Sequence, residues 1–139
     1  MSNGVVYIQS VNNLVALDAS TGALIWSSPT TGGDAESSLT PAVDGNSVVV
    51  GTTRYLIAFN ATTGARRWTI DGGVDTTDYP VPAIANGVVY AGSIGIGLQA
   101  IGEASGKVLF SHGSNCWGAI VSHGKVYAAC GDEMTVFGP

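Results

Sequence analysis

One phrase occurs three times in this chain at a constant interval of 42 residues: ALDASTGALIW from Ala16 to Trp26, AFNATTGARRW from Ala58 to Trp68, and AIGEASGKVLF from Ala100 to Phe110. A fixed interval means that one supersecondary unit is being repeated. A period of ~40–45 residues built from four strands is that of a propeller blade. Each unit opens with a β-branched run: Val5-Val6-Tyr7-Ile8, Val48-Val49-Val50, Val88-Val89-Tyr90 and Val126-Tyr127-Ala128. A polar or glycine-rich loop leads to a second run: Leu14-Val15-Ala16-Leu17, Leu56-Ile57-Ala58-Phe59, Leu98-Gln99-Ala100-Ile101 and Met134-Thr135-Val136-Phe137. The turn follows, and then a third run ends on Trp26, Trp68 or Phe110.

A further run precedes three units: Leu39 to Val43, Val81 to Ile84, and Gly118 to Val121. It joins the next run through Asp44-Gly45-Asn46, Asn86-Gly87 or His123-Gly124. Asn-Gly is the strongest short hairpin signal, because both residues tolerate positive φ. The unit is therefore a four-stranded antiparallel meander, with strands A, B, C and D from inner to outer. Period-2 patterning excludes a helical solenoid. A sandwich gives no reason for identical turns at a fixed interval.

The repeated phrase has a mechanical reading. Asp18 or Asn60 opens the C–D turn, where its side-chain oxygen accepts from backbone N–H groups ahead of it. Gly22, Gly64 and Gly106 provide the positive φ of the reversal. The aromatic ring on strand D is placed to lie between neighbouring blades, where a ring removes ~150–250 Å² from water.

Composition narrows the partners. Ten acids against five bases give a formal charge of −5, which argues against a nucleic-acid surface. With 45% hydrophobic and 11% charged residues, the chain can bury a core. No apolar run approaches the ~20 residues needed to span a membrane. Met1-Ser2-Asn3-Gly4-Val5 holds no basic stretch followed by an apolar run, so no signal peptide is expected within this sequence.

At these residues the chain resembles the quinoprotein-like propellers, or pyrroloquinoline-quinone-like repeat proteins, whose tryptophan-docking motif is Ala-x-Asp-x-x-x-Gly-x-x-x-Trp. Ala16, Asp18, Gly22 and Trp26 match it in full. Ala58, Gly64 and Trp68 match, with Asn60 in place of Asp. Ala100 and Gly106 match, but Gly102 and Phe110 depart, which implies a weaker third fastener. The resemblance implies whole rings of seven or eight blades and an extracellular or periplasmic setting. It implies one of two activities: a quinone-dependent dehydrogenase with a calcium ion, or a cofactor-free protein-binding scaffold such as those of outer-membrane assembly.

Strand counting predicts one all-β domain over residues 1–139, a half-ring of about four blades with units near 3–27, 39–70, 81–111 and 118–137. The first unit lacks strand A and the last lacks strand D, giving fourteen strands. Such an arc leaves an apolar blade face at each end, and exposed apolar patches mark interaction sites. Three outcomes follow: a two-fold homodimer closing an eight-bladed ring, an open head-to-tail filament, or a fragment of one longer propeller.

The D–A and B–C loops are expected on one face. That face gathers Asp34, Glu36, Asp71, Asp75, Asp78, Asp132 and Glu133, with Tyr55, Tyr79 and Trp117 as stacking surfaces. One reading is a site for a cation, a basic ligand or a carbohydrate; the other is that strands simply exclude acids. DGGVDTTD, from Asp71 to Asp78, does not carry the alternate acids and terminal Glu of a calcium loop. Cys116 and Cys130 flank the last A–B hairpin, where a two-residue turn predicts that Trp117 faces Cys130 and makes the cysteines diagonal neighbours. A disulfide and a reduced pair of small core residues are both open readings. His112 and His123 fall at a strand end and in a turn. SIGIG, from Ser93 to Gly97, lacks the following helix that a nucleotide loop needs. Asn60-Ala61-Thr62 spells a glycosylation sequon, which the turn role of Asn60 already explains.

No Ser/His/Asp set, zinc spacing or phosphate loop occurs, so no catalytic, metal or cofactor residue is assigned. The sequence points to a non-enzymatic binding or scaffold module that self-assembles or takes a protein or carbohydrate. The alternative is a fragment of a pyrroloquinoline-quinone-dependent dehydrogenase, whose Glu, Asn and Asp cation ligands and stacking Trp do not map onto this chain.

Overall fold

Turn chemistry sets the architecture. At Asn86-Gly87 and His123-Gly124 both residues take positive φ (52° and 75°, 49° and 72°), the twist that matches two flanking strands. In the computed structural model, residues 3–10, 12–30, 40–72, 81–93 and 95–138 are described, and none of them is helical.

Fourteen strands form four antiparallel sheets in meander order. The first blade contains β1 (Val5–Gln9), β2 (Asn13–Asp18) and β3 (Leu24–Pro29). The second contains β4 (Ala42–Asp44), β5 (Ser47–Gly51), β6 (Tyr55–Asn60) and β7 (Arg66–Asp71). The third contains β8 (Ala83–Ala85), β9 (Val88–Ser93), β10 (Gly97–Gly102) and β11 (Val108–His112). The fourth contains β12 (Cys116–Ser122), β13 (Lys125–Cys130) and β14 (Glu133–Phe137). The sheets do not close into a ring among the described residues: this is a partial β-propeller.

Several expected boundaries move. In the second unit β4 spans Ala42–Asp44: Asp44, expected in the turn, pairs with Ser47, so the turn is only Gly45-Asn46. Asp71 and Trp117, expected in loops, lie on strands β7 and β12. The register at the cysteines also differs. Residues 119–122 of β12 pair as the two-residue turn dictates, but a bulge between Cys116 and Ala119 sets Cys116 directly opposite Cys130. An extra residue on one strand slides the pairing by one position.

Three cores lie between consecutive blades. Leu14 of the first blade packs with Val48, Val50, Ile57 and Phe59 of the second. Val49, Leu56 and Ala58 of the second pack with Val89, Ala91 and Ile101 of the third. Leu98 of the third packs with Cys116, Val126 and Ala128 of the fourth. Because side chains alternate across a strand, each sheet has one face turned to the preceding blade and one turned to the next.

Candidate interaction surface

The C–D turns show how blades are joined. In the first turn Asp18 Oδ1 accepts from the backbone N–H groups of Ser20 (2.9 Å) and Thr21 (2.8 Å), and from both hydroxyls. The Ser20 hydroxyl, followed by Thr21, holds the Asp18 carboxyl down from 3.8 to about 2. Asn60 Oδ1 accepts the corresponding backbone bonds from Thr62 (2.9 Å) and Thr63 (3.0 Å). A β-bulge falls at the same place in the three C–D pairs, after Ala16, Ala58 and Ala100. Each of these alanines faces the aromatic residue of strand D: Trp26, Trp68 or Phe110.

Two of those rings cross to the next blade. Trp26 Nε1 donates to the Ala61 carbonyl (2.9 Å), and Trp68 Nε1 donates to the Glu103 carbonyl (2.7 Å). A Cβ added at Gly64 would meet Trp26 at 2.7 Å, and one at Gly106 would meet Trp68 at 2.7 Å. Each Trp therefore fills a seat made by a glycine at positive φ and a carbonyl three residues before it. Phe110 has no indole N–H and is 46% exposed. It stacks on His112 and meets Phe137 edge-on. Gly22 has the same conformation (φ 72°, against 70° and 68°), yet among the described residues nothing lies within 4 Å of its Cβ position.

The two outer sheet faces are apolar. On the first blade Val6 pairs with Leu17 and Ile8 with Val15, so the four side chains share one face. They occupy the positions of Val48, Phe59, Val50 and Ile57, which the second blade buries beneath the first. On the fourth blade Ile120 pairs with Tyr127, Tyr127 with Val136, and Ala129 with Met134. Met134 occupies the position of Leu14, Leu56 and Leu98, whose exposures are 0%, 0% and 1%, yet Met134 is 72% exposed. Ile120 is 70% and Trp117 58% exposed. Trp117, Ile120, Tyr127 and Met134, with Val81, line a groove of about 400 Å³. Sequence reasoning expected apolar end faces but did not assign these residues. The positional match of Met134 to three buried leucines is the signal that identifies them.

The loop residues separate. Asp34, Glu36, Asp75, Asp78 and Tyr79 lie outside the described residues. Tyr55 opens β6 and packs half-buried against the core between the first two blades. The Arg54 guanidinium sits 5.2 Å from the Tyr55 ring and pairs with Asp71 at 2.8 Å. Asp132 and Glu133 are exposed at the β13–β14 turn, on a different blade from Tyr55. Trp117 is on the apolar face just described, not in a loop. Cys116 and Cys130 form a disulfide. Among the described residues no three His, Cys, Asp or Glu side chains gather in a way that could hold a metal ion. No described helix is long and apolar enough to cross a membrane.

The sequence profile of the family described as outer membrane protein assembly factor BamB matches residues 1–133. No curated protein matches the sequence. Among solved structures, BamB from Moraxella catarrhalis aligns with a TM-score of 0.77 at 17% identity, over 98% of this chain and 40% of that one. The computationally designed Ika4 protein aligns with a TM-score of 0.79 at 17% identity, over 99% of this chain and 86% of that one. A quinohemoprotein alcohol dehydrogenase from Pseudomonas putida HK5 aligns with a TM-score of 0.71 at 20% identity, over 90% of this chain and 26% of that one. Identities this low establish the fold alone, and this chain spans less than half the length of the Moraxella protein. With the profile match covering nearly the whole sequence and four blades stacked in order, this chain belongs to the outer membrane protein assembly factor BamB family of quinoprotein-like β-propellers.

Proposed function

We propose that this chain is a non-enzymatic binding and scaffold module that assembles with a second copy. The outward face of the fourth blade packs on the outward face of the partner's first blade. The observation that carries this reading is the exposure of Met134 at a position that three other blades bury. The two end faces differ in kind. One has the positions that internally cover a following blade, and the other has the positions that internally receive a preceding one. They are therefore complementary to each other and not to themselves.

Burying a large apolar side chain contributes ~1.5–3 kcal/mol, against an association cost of ~4–15 kcal/mol. Trp117, Ile120 and Met134 with the facing Ile8 and Val15 set one contact against that cost. A second contact within the same pair of molecules forms without a new loss of translational freedom. This favours a closed ring of eight blades over an open series.

The Cys116–Cys130 disulfide supports an oxidising setting outside the cytoplasm, consistent with the family description. That description also favours a protein over a small molecule as the further ligand of the assembled module.

Light scattering at micromolar concentration tests the assembly. The expected mass is twice the 14.1 kDa of the chain. Ile120→Lys with Met134→Lys is expected to give a folded monomer, with its strand signal retained in circular dichroism. A wild-type chain that stays monomeric would overturn the reading. A mass that rises steadily with concentration would overturn the closed ring.

A further inference from the structure

Residues 119–122 of β12 pair with residues 125–128 of β13, as the two-residue turn at His123-Gly124 dictates. Continued along the strands, that register would set Gly118 opposite Ala129, Trp117 opposite Cys130 and Cys116 opposite Gly131. The strands do otherwise. Cys116 stands opposite Cys130, and the bulge between Cys116 and Ala119 takes up the extra residue. The disulfide closes at the step where the register departs. A slip of one residue turns a side chain to the other face of its sheet, and here the bulge decides two of them. Cys116 points toward the third blade, buried beside Leu98, Val126 and Ala128. Trp117 points the other way and shares a face with Ile120 and Met134. In the uninterrupted register the two would change faces, because Ala119 packs toward the third blade and residues two apart share a face.

We infer that the Cys116–Cys130 disulfide is a redox-controlled register switch that chooses the face on which Trp117 stands. In the oxidised chain the S–S bond holds Cys116 against Cys130 and keeps the bulge. A dithiol reductant breaks that bond by supplying two electrons and two protons; two thiols form, and the donor becomes its own disulfide. β12 then takes the uninterrupted register, and the Trp117 indole turns toward the third blade. Two terms drive the slip. The extra residue of a bulge is left out of the ladder, and an inward ring removes ~150–250 Å² from water. The seam has a place for the ring. Gly92 of the third blade carries no side chain, and in the oxidised chain the bulge backbone fills that gap, with the Cys116 carbonyl oxygen 2.6 Å from where a Cβ would stand. The slack lies in residues 113–115, between β11 and β12, where Gly113 and Asn115 hold positive φ (65° and 59°). Reduction thus changes the surface that the fourth blade shows to whatever neighbour covers it. The inference rests on pairing within one hairpin and not on the assembly proposed above.

The test is nuclear magnetic resonance on the isotope-labelled full chain, before and after dithiothreitol. Cross-strand backbone contacts are expected between Cys116 and Cys130 in the oxidised chain, and between Trp117 and Cys130 in the reduced one. The Trp117 indole is expected to exchange contacts with Ile120 and Met134 for contacts with Leu98 and Val126. Cys116→Ala with Cys130→Ala is expected to show the reduced pattern without reductant. Deleting Gly118 removes the extra residue, so that Cys116 faces Cys130 with no bulge and Trp117 stays beside Ile120. That variant is expected to keep one register in both redox states. A reduced wild-type chain that still sets Cys116 opposite Cys130 would overturn the inference. So would loss of the pairing between Ala119 and Ala128 on reduction, because the hairpin would then have opened and not slipped. A Gly118 deletion that changes register on reduction would show that the bulge is not the moving part, and would also sink the inference.

Discussion

Gly64 lies beneath the indole of Trp26 so closely that one added methyl group would meet the ring at 2.7 Å. The contact joins residues of different blades, because the indole N–H reaches the Ala61 carbonyl in the same turn. Gly22 has the same positive φ, with no ring above it among the described residues, so the two glycines separate backbone strain from packing. An alanine in this region of φ costs ~1–3 kcal/mol in strain. Overpacking adds ~1–3 kcal/mol. Gly64→Ala is therefore expected to destabilise by that second amount more than Gly22→Ala, measured by urea unfolding. Equal losses would show that the ring does not press on the glycine.

Trp68 makes the corresponding contact one blade later, with its N–H on the Glu103 carbonyl. Trp68 is half-buried, so Trp68→Ala is expected to cost about 3 kcal/mol, the low end of the range for emptying a buried aromatic site. Trp68→Phe keeps most of the ring but leaves the carbonyl without its donor, at ~1–3 kcal/mol. Phe110 is more exposed and donates no bond, so Phe110→Ala is expected to cost less than Trp68→Ala in the same unfolding assay.

Acid sensitivity is expected at the first turn. The Asp18 carboxyl is held at about 2 against an ordinary 3.8, chiefly by hydrogen bonds from Ser20 and Thr21. A carboxyl depressed in the folded state contributes stability above its unfolded value, and loses it as pH falls through the folded one. The window for Asp18 therefore runs from 3.8 down to about 2. Asp18→Asn keeps the backbone bonds, as Asn60 does in the second turn. The melting-temperature gap between wild type and Asp18→Asn is expected to narrow across that window. A gap that stays constant would assign the acid response elsewhere.

Reduction is expected to loosen the fourth blade. The Cys116–Cys130 disulfide spans a sequence separation of 14, and a loop near that length is worth ~3 kcal/mol. Replacing both cysteines by Ala is expected to lower unfolding free energy by about that amount. Hydrogen exchange should rise first in β12 and β13. Unchanged exchange there would mean that packing against Leu98 and Tyr90 alone holds the strands.

Much of the fold was legible because its determinants are local. Asn86-Gly87 and His123-Gly124 announce hairpins through the φ values they tolerate. The phrase ending at Trp26 and Trp68 announces a blade through its spacing alone. The loop face was read less well. Trp117 was expected at the end of a D–A loop, as a stacking surface of the loop face. It lies instead on β12, inside a bulge between Cys116 and Ala119 that no local pattern marks.

The amino-acid order by itself determined the period, the number of strands and the places where the chain reverses, since these follow from side-chain alternation and from the few residues that accept unusual φ. Tertiary structure alone decided which copy of a repeated position is covered. Leu14, Leu56, Leu98 and Met134 hold equivalent places, yet three are sealed and one is bare. Burial belongs to the neighbour that arrives and not to the residue that waits. The same reason puts the Trp26 ring over Gly64, while among the described residues no ring lies over Gly22.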